Sequence, residues 1–357
     1  MLVFILPNFS GGGAERVTLN LLAGLYNANY SVEIIVFNKK GPLLSMVPHN
    51  VIVHNLDVMS LRQSIIPLIK KIRQLHPKVI FSTFGYVNVA LLAINWLLPK
   101  KTKIWIREAN MPSASLPNNP MPRVMFVLYW SLYRKTDKLF CTSVKMKNEF
   151  ILNFSVPESI VELLPNSVDV DLVRALSAPE SRLDLNGICY VASGRLTFQK
   201  GFDRLIKWIA KLENKKSTLV ILGEGSLKDE LISEVELLGI HDRVQFLGFC
   251  NNPWQWYSGA DVFLLPSRWE GMPNVVLESL ACGTPVIAMS DSGGIEEIKR
   301  ESKPGSVTVV ESGEQFIKAM NLVLLKKEKR ECNSLLPNIY HLNYGLKRIL
   351  KLLKEIE

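Results

Sequence analysis

The chain is predicted to form an α/β protein built from two doubly wound, parallel-sheet domains. Three observations carry this. The length of 357 residues is too great for one typical domain of ~100–200 residues. Short apolar, β-branched runs alternate with segments of helical periodicity along the chain. The alternation comes in two series of similar size, which implies two sheets, each covered by helices on both faces.

The first series places strands at Leu2–Pro7, Val32–Asn38, Val51–Asn55, Lys78–Phe84, Lys103–Arg107 and Lys138–Thr142. Helical patterns fall between them, as at Ala14–Leu25 and Leu61–Leu75. The second series places strands at Gly187–Ser193, Thr218–Leu222, Val244–Leu247, Val262–Pro266, Pro285–Met289 and Val307–Val310. The boundary is expected near Leu164–Asp169, dividing residues 1–167 from 168–338. The polar stretch Ser177–Asn186 reads as linker. A terminal helix is expected over Ile339–Ile356, within a last segment of 339–357. Its apolar residues recur every three or four positions and Lys347, Arg348, Lys351 and Lys354 line the rest.

Composition narrows the function classes. Hydrophobic residues make up 48% and charged residues 21%, a globular balance rather than a disordered one. The net charge of +9 is uneven: residues 1–167 carry 18 Lys/Arg against 8 Asp/Glu, so the basic excess lies in the first half. Such a half suits an anionic partner, whether nucleic acid, a membrane surface or a phosphorylated substrate, although solubility alone also explains it. No nucleic-acid recognition motif accompanies the charge. The five cysteines form no CxxC pair and the five histidines show no metal-ligand spacing, so neither a disulfide framework nor a zinc site is expected. The opening MLVFILPNFSGGG lacks a basic flank, and no secretory leader is expected. Val79–Pro99 carries no charge but contains Ser82, Thr83, Gly85, Asn88 and Asn95. It reads as strand, turn and helix (Val87–Leu98) rather than as a membrane span.

Ligands of doubly wound sheets bind outside the carboxyl ends of the strands, so the strand–helix loops are the place to look. Asn8–Arg16 is glycine-rich and opens a helix, a setting that favours anions. It is not a dinucleotide fingerprint: Arg16 stands where a third glycine belongs, and no acid ends the second strand. Ser193–Gly201 places Arg195 and Lys200 five apart on a loop, cations that suit a diphosphate. The segment Leu265–Ala288 is the most informative. Glu270 lies in a strand–helix loop, Gly271–Asn274 opens a helix, Glu278 lies about one turn in, and Gly283 with Pro285 ends it. Backbone N–H groups at such a start cradle anions. Two acids beside an anion cradle fit a ligand that also carries sugar hydroxyls.

Arg195, Lys200 and the Glu270…Glu278 spacing resemble the signature of GT-B glycosyltransferases, specifically the retaining glycosyltransferase family 4. Leu222–Gly225, Phe246–Phe249, Ala281–Pro285 and Gly293–Glu296 occur in the family's order, and the likeness spans nearly the whole chain. The resemblance implies two Rossmann-like domains facing across a cleft, with the last helix returning to the N-terminal domain. It implies Arg195 and Lys200 on the donor diphosphate and Glu270 on the donor sugar, as the catalytic set. Gly271, Met272, Pro273 and Asn274 would meet sugar or phosphate, and Glu278 the ribose. Gly225 and Phe249 would border the base, and Gly12 and Gly13 would approach the diphosphate from the other domain. Many relatives carry a histidine after the fifth strand, where this chain has Ala109. Glu108, Asn110 and Arg16 are the candidates on the acceptor side, Glu108 having as its alternative an ion pair with Arg107 or a neighbour. No cofactor and no metal are expected: Asp169-Val-Asp171 matches a metal motif in letters only and reads as linker.

The implied reaction moves a hexose-type sugar from a UDP- or GDP-sugar to a lipid-linked saccharide, in bacterial O-antigen, capsule or lipopolysaccharide synthesis. Another GT-B nucleotide-sugar enzyme, or a non-catalytic nucleotide-sugar binder, is the alternative. A cytoplasmic protein held peripherally on the inner membrane face is expected, since Val124–Tyr133 is aromatic and apolar and is flanked by Arg123, Arg134 and Lys135. The same stretch also reads as a buried core helix.

Overall fold

The computed structural model describes residues 1–177, 187–323 and 333–356. It divides into two units, Met1–Ser167 with Leu342–Glu357, and Val168–His341. The proposed linker therefore lies outside the described residues beyond Ser177, as does Cys332.

The first unit contains β1 (Leu2–Leu6), α1 (Gly13–Asn27), β2 (Val32–Val36), β3 (Val53–Asn55), α2 (Leu61–Leu75), β4 (Val79–Ser82), α3 (Gly85–Ala93) and β5 (Lys103–Arg107). The chain continues through α4 (Pro112–Ser115), α5 (Pro122–Leu132), β6 (Lys138–Cys141), α6 (Val144–Phe154) and β7 (Val161–Leu163). Its seven strands run in the order β3-β2-β1-β4-β5-β6-β7, with every neighbouring pair parallel. All of Leu2–Leu6 is buried, because helices cover both faces of the sheet. Val3 and Ile5 point into one core, and Leu2, Phe4 and Leu6 into the other.

The second unit contains α7 (Val170–Leu176), β8 (Cys189–Ser193), α8 (Phe202–Ala210), β9 (Thr218–Leu222), α9 (Lys228–Leu237), β10 (Val244–Gly248), α10 (Trp254–Gly259) and β11 (Val262–Leu265). Then come α11 (Asn274–Ala281), β12 (Val286–Met289), α12 (Ile295–Glu301), β13 (Val307–Val310) and α13 (Gly313–Asn321). Its six strands run β10-β9-β8-β11-β12-β13, again all parallel. In both sheets the strand order reverses next to the unit's first strand, between β1 and β4 and between β8 and β11. Those two switch points are where a crevice opens at the carboxyl ends.

Three expectations are corrected. A seventh strand, Val161–Leu163, joins the edge of the first sheet. It is three residues long with a charged centre, Glu162, which pairs with Lys138 (2.8 Å) and Arg348 (3.1 Å), so no apolar run marks it. The helix expected over Ile339–Ile356 is broken at His341. Asn338–Tyr340 is a single 3-10 turn in the second unit, and Tyr340 is buried there with its carbonyl accepting from the Val168 N–H. Extended His341 then bridges to Val168, and only Leu342–Lys354 (α14) continues as helix in the first unit. There α14 packs on α1, where Gly24 leaves room for Leu346. Finally, the segment read as helix Val87–Leu98 is α3 followed by a 3-10 turn at Asn95–Leu97. Among the described residues no helix is long and apolar enough to cross a membrane.

Asp169 and Asp171 lie just past the unit boundary at Ser167, at the start of α7. Asp169 Oδ1 accepts from Leu172 N at 3.0 Å, capping α7.

Candidate active site

In the second unit the switch point brings together two loops, Gly194–Gly201 after β8 and Pro266–Pro273 after β11. Lys200 Nζ lies 2.6 Å from Glu270 Oε1, and Ser267 Oγ donates to the same oxygen at 2.7 Å. Glu270 is 6% exposed. A carboxylate that deep needs such partners, because desolvation is costly for an uncompensated charge. The resemblance placed Lys200 on the diphosphate and Glu270 on the sugar. The structure adds that the two side chains touch. Arg195 is exposed, and its guanidinium makes no hydrogen bond or ion pair among the described residues.

The loop geometry depends on glycine. Gly201 has φ +70, and a Cβ there would sit 2.1 Å from the Pro266 carbonyl oxygen. A Cβ on Gly293, with φ +62, would sit 2.2 Å from the Glu270 carbonyl oxygen, and Gly294 N–H donates to Gly271 O at 2.9 Å. We expect Gly201→Ala to cost about 2 kcal/mol or more, from strain plus the displaced carbonyl. Urea unfolding checks this, and an unchanged midpoint would refute the close approach.

Pro273 stands at the N-cap of α11, so the run Gly271–Asn274 has one N–H fewer than an unbroken cradle. Gly271 and Met272 are buried, and the Met272 side chain enters the core under the helix, so at this position a ligand could meet backbone only. Asn274 is partly exposed. Glu278 is buried on α11, and its Oε2 accepts from Trp254 Nε1 of α10 at 3.2 Å. Gly283 is left-handed, φ +79, and ends the helix as the sequence implied. On the β9 and β10 side, Gly223 N–H donates to Gly248 O at 2.7 Å, and Gly225 sits against the Leu196 backbone. Phe249 is 47% exposed beside them.

In the first unit, Gly12 caps α1 without a side-chain bond and Gly13 begins it. A Cβ on Gly12 would strike Glu15, whose carboxylate is buried and accepts from Ser10 Oγ at 2.8 Å. Glu15 also faces Tyr86 at the start of α3. Burial and then the Glu15 charge push the Tyr86 hydroxyl up to about 12. Arg16 is partly exposed on the same helix.

Glu108 is 4% exposed. Its Oε1 accepts from Asn88 Nδ2 (2.8 Å) and from Tyr133 Oη, with Tyr129 Oη at 3.4 Å. Burial raises its pKa to about 7 against these bonds and the Arg107 charge, which lower it. Arg107 is equally buried and gives Nη2 to Asn166 rather than to Glu108. Asn110 is exposed.

Residues missed in the sequence also shape the site. Ser267, Asp203, Arg204 and Arg268 hold the two loops, and Trp254 holds Glu278. The available signal was adjacency: Asp203 and Arg204 follow Gly201 in the first turn of α8, and Ser267 and Arg268 precede Glu270. Glu15 had the same signal beside the glycine loop.

The geometry meets relatives of known family. The model of "Glycosyltransferase Family 4" matches residues 11–172, and that of "Glycosyl transferases group 1" matches residues 174–333. The chain is 29% identical over 332 residues to the Campylobacter jejuni N-acetylgalactosamine-N,N'-diacetylbacillosaminyl-diphospho-undecaprenol 4-alpha-N-acetylgalactosaminyltransferase, covering 89% of this chain and 88% of that protein. It is 24% identical over 340 residues to the amylovoran biosynthesis glycosyltransferase AmsD of Erwinia amylovora, with coverages of 93% and 92%. The solved structure of Anabaena HepE in complex with UDP and glucose superposes with a TM-score of 0.79, at 18% identity and 99% coverage of both chains. With family models spanning both halves, two parallel-sheet Rossmann-like units and these neighbours, the chain belongs to the GT-B glycosyltransferases of the family 4 type.

Proposed function

We propose that this enzyme transfers a hexose-type sugar from a UDP- or GDP-sugar to a hydroxyl of a lipid-linked saccharide. The transfer retains the anomeric configuration, uses no metal or other cofactor, and serves a bacterial surface polysaccharide of the O-antigen, capsule or lipopolysaccharide kind. The carrying observation is the Lys200–Glu270 contact at the β8/β11 switch point, with Ser267 on the same oxygen. A cation and an acid in contact suit a ligand whose charged diphosphate and neutral sugar adjoin.

In this reading, Arg195 and Lys200 meet the negative charge that grows on the leaving diphosphate, and the start of α11 adds its dipole. Glu270 orients a hydroxyl of the donor sugar. Glu278, steadied by Trp254, takes the ribose. Gly225 and exposed Phe249 border the base. The names of relatives support the acceptor class: one is a transferase acting on a diphospho-undecaprenol saccharide, another serves amylovoran biosynthesis. Thermal shifts with UDP, GDP, ADP and NAD, each with and without EDTA, test the donor. A metal-independent rise with UDP or GDP, about 2.7 kcal/mol at a hundredfold excess over Kd, is the expected outcome. A rise with NAD alone would refute it.

The first unit supports a peripheral site on the inner membrane face. On α5 and just before it, Met121, Val124, Phe126, Val127 and Trp130 are 45–58% exposed, while Tyr129 and Tyr133 turn inward. Arg134 lies 4.1 Å from the centre of the Trp130 ring and, with Arg123 and Lys135, supplies cations beside the apolar face. Such a face suits an anionic bilayer. Val127→Glu with Trp130→Glu should abolish sedimentation with vesicles containing anionic lipid while leaving donor binding intact. Equal sedimentation of variant and parent would refute this surface.

A further inference from the structure

The loops that carry Lys200 and Glu270 are joined by more bonds than those two side chains require. Arg268 makes most of them. Its backbone N–H donates to Gln199 O at 2.8 Å, and its Nη1 to Phe198 O at 2.7 Å. The guanidinium grips Asp203 with both arms, Nη1 to Oδ1 at 2.8 Å and Nη2 to Oδ2 at 2.6 Å, and lies 3.8 Å from the centre of the Phe198 ring. Arg204 ties in the opposite direction, Nε to Pro266 O at 2.7 Å and Nη2 to Ser267 O at 2.8 Å. Gln199 Nε2 closes the seam on Trp269 O at 3.0 Å.

We propose that Asp203 and Arg268 are a positioning pair, which locks the β8–α8 and β11–α11 loops together so that Lys200 and Glu270 keep their mutual geometry when the donor binds. This rests on the roles given to Lys200 and Glu270 above. The physical need is specific. An incoming diphosphate competes with Glu270 for the Lys200 ammonium, and a loop held only by that contact would follow its lysine. With the loops stitched independently, Lys200 can turn toward phosphate while Glu270 stays in place. Misplacement of about 1 Å can cost about a hundredfold in rate. A partly exposed ion pair alone is weak, but a two-armed Arg–carboxylate pair that also holds backbone carbonyls fixes direction as well as distance. Asp203 sits well for this: burial raises its pKa, yet Arg268 outweighs burial and holds it below the usual carboxylate range.

The test compares Arg268→Ala, Arg268→Lys and Asp203→Asn with the parent in UDP- and GDP-sugar consumption, and in nucleoside diphosphate affinity by calorimetry. The expected result is a kcat lowered tenfold or more in all three, with diphosphate affinity within threefold of the parent. Arg268→Lys should be no better than Arg268→Ala, since an ammonium cannot make the fork. A kcat within twofold of the parent in Arg268→Ala, or full rescue by lysine, would overturn the proposal. So would a parallel loss of kcat and affinity, the mark of general loosening. A second readout does not depend on turnover: the urea midpoints of Arg268→Ala, Glu270→Gln and the double variant. A positioning pair requires the Glu270→Gln shift to differ by at least half in the Arg268→Ala background, and additive shifts would overturn it. If the parent consumes no nucleotide sugar, the transfer reading falls, and the midpoints still decide the pairing.

Discussion

Lys200→Ala should lower turnover about a hundredfold or more, the scale seen when one preorganised charge or donor facing a leaving group is removed. It should also destabilise the fold. Removing the ammonium leaves the Glu270 carboxylate with Ser267 as its remaining partner, at 6% exposure. Stranding one member of a buried pair costs about 3 kcal/mol. The two effects separate in a second background. Glu270→Gln removes the charge but keeps an oxygen for Ser267, so Lys200→Ala with Glu270→Gln should recover much of the lost stability and none of the lost turnover. Initial rates and urea unfolding of the two single variants and the double variant check this. A Lys200→Ala enzyme within threefold of the parent in rate would remove Lys200 from the chemistry, whatever its stability.

The pH dependence of stability should carry the imprint of Glu108. In the folded state burial raises this carboxyl from 4.5 to about 7, against the hydrogen bonds of Tyr133, Asn88 and Tyr129 and the charge of Arg107. Above about pH 4.5 the unfolded chain has lost the proton that the folded protein still holds. Stability from this group therefore falls as pH rises from about 4.5 to about 7, then levels off, a total of about 3 kcal/mol. Glu108→Gln cannot ionise, so its stability curve should be flatter over that window and meet or exceed the parent at pH 8. Urea midpoints at half-unit steps of pH give both curves. Parallel curves would show that Glu108 does not titrate there. Tyr129 on α5 and Tyr133 just after it both meet Glu108.

Much of the architecture was legible in the chain because parallel strands announce themselves locally. A strand buried on both faces must be an apolar run, as Leu2–Leu6 and Val262–Leu265 are. Strand–helix loops need glycine, proline and capping residues at set offsets, and so Pro273 and Gly283 could be read as punctuation. Strand order, by contrast, is a long-range property. That β8 pairs with β11 across more than 70 residues of sequence is what brings Lys200 to Glu270, and no local pattern encodes that pairing.

The remaining differences share one cause, that burial and partnership belong to pairs of residues and not to single ones. Nothing in its own loop marks Glu108 as interior, and Asn88, Tyr129 and Tyr133, arriving from elsewhere in the chain, are what surround it. Val161–Leu163 becomes a strand because β6 offers it an edge and Lys138 and Arg348 neutralise its central glutamate. Asp203 and Arg268 are ordinary charges 65 residues apart until the fold faces them. Fold class follows from composition and periodicity, which are local, and the candidate site residues come from loop spacing together with a family resemblance. Which charges touch, which are sealed from water and which stay exposed is decided by packing, because desolvation and hydrogen bonding act through neighbours that only the tertiary structure supplies.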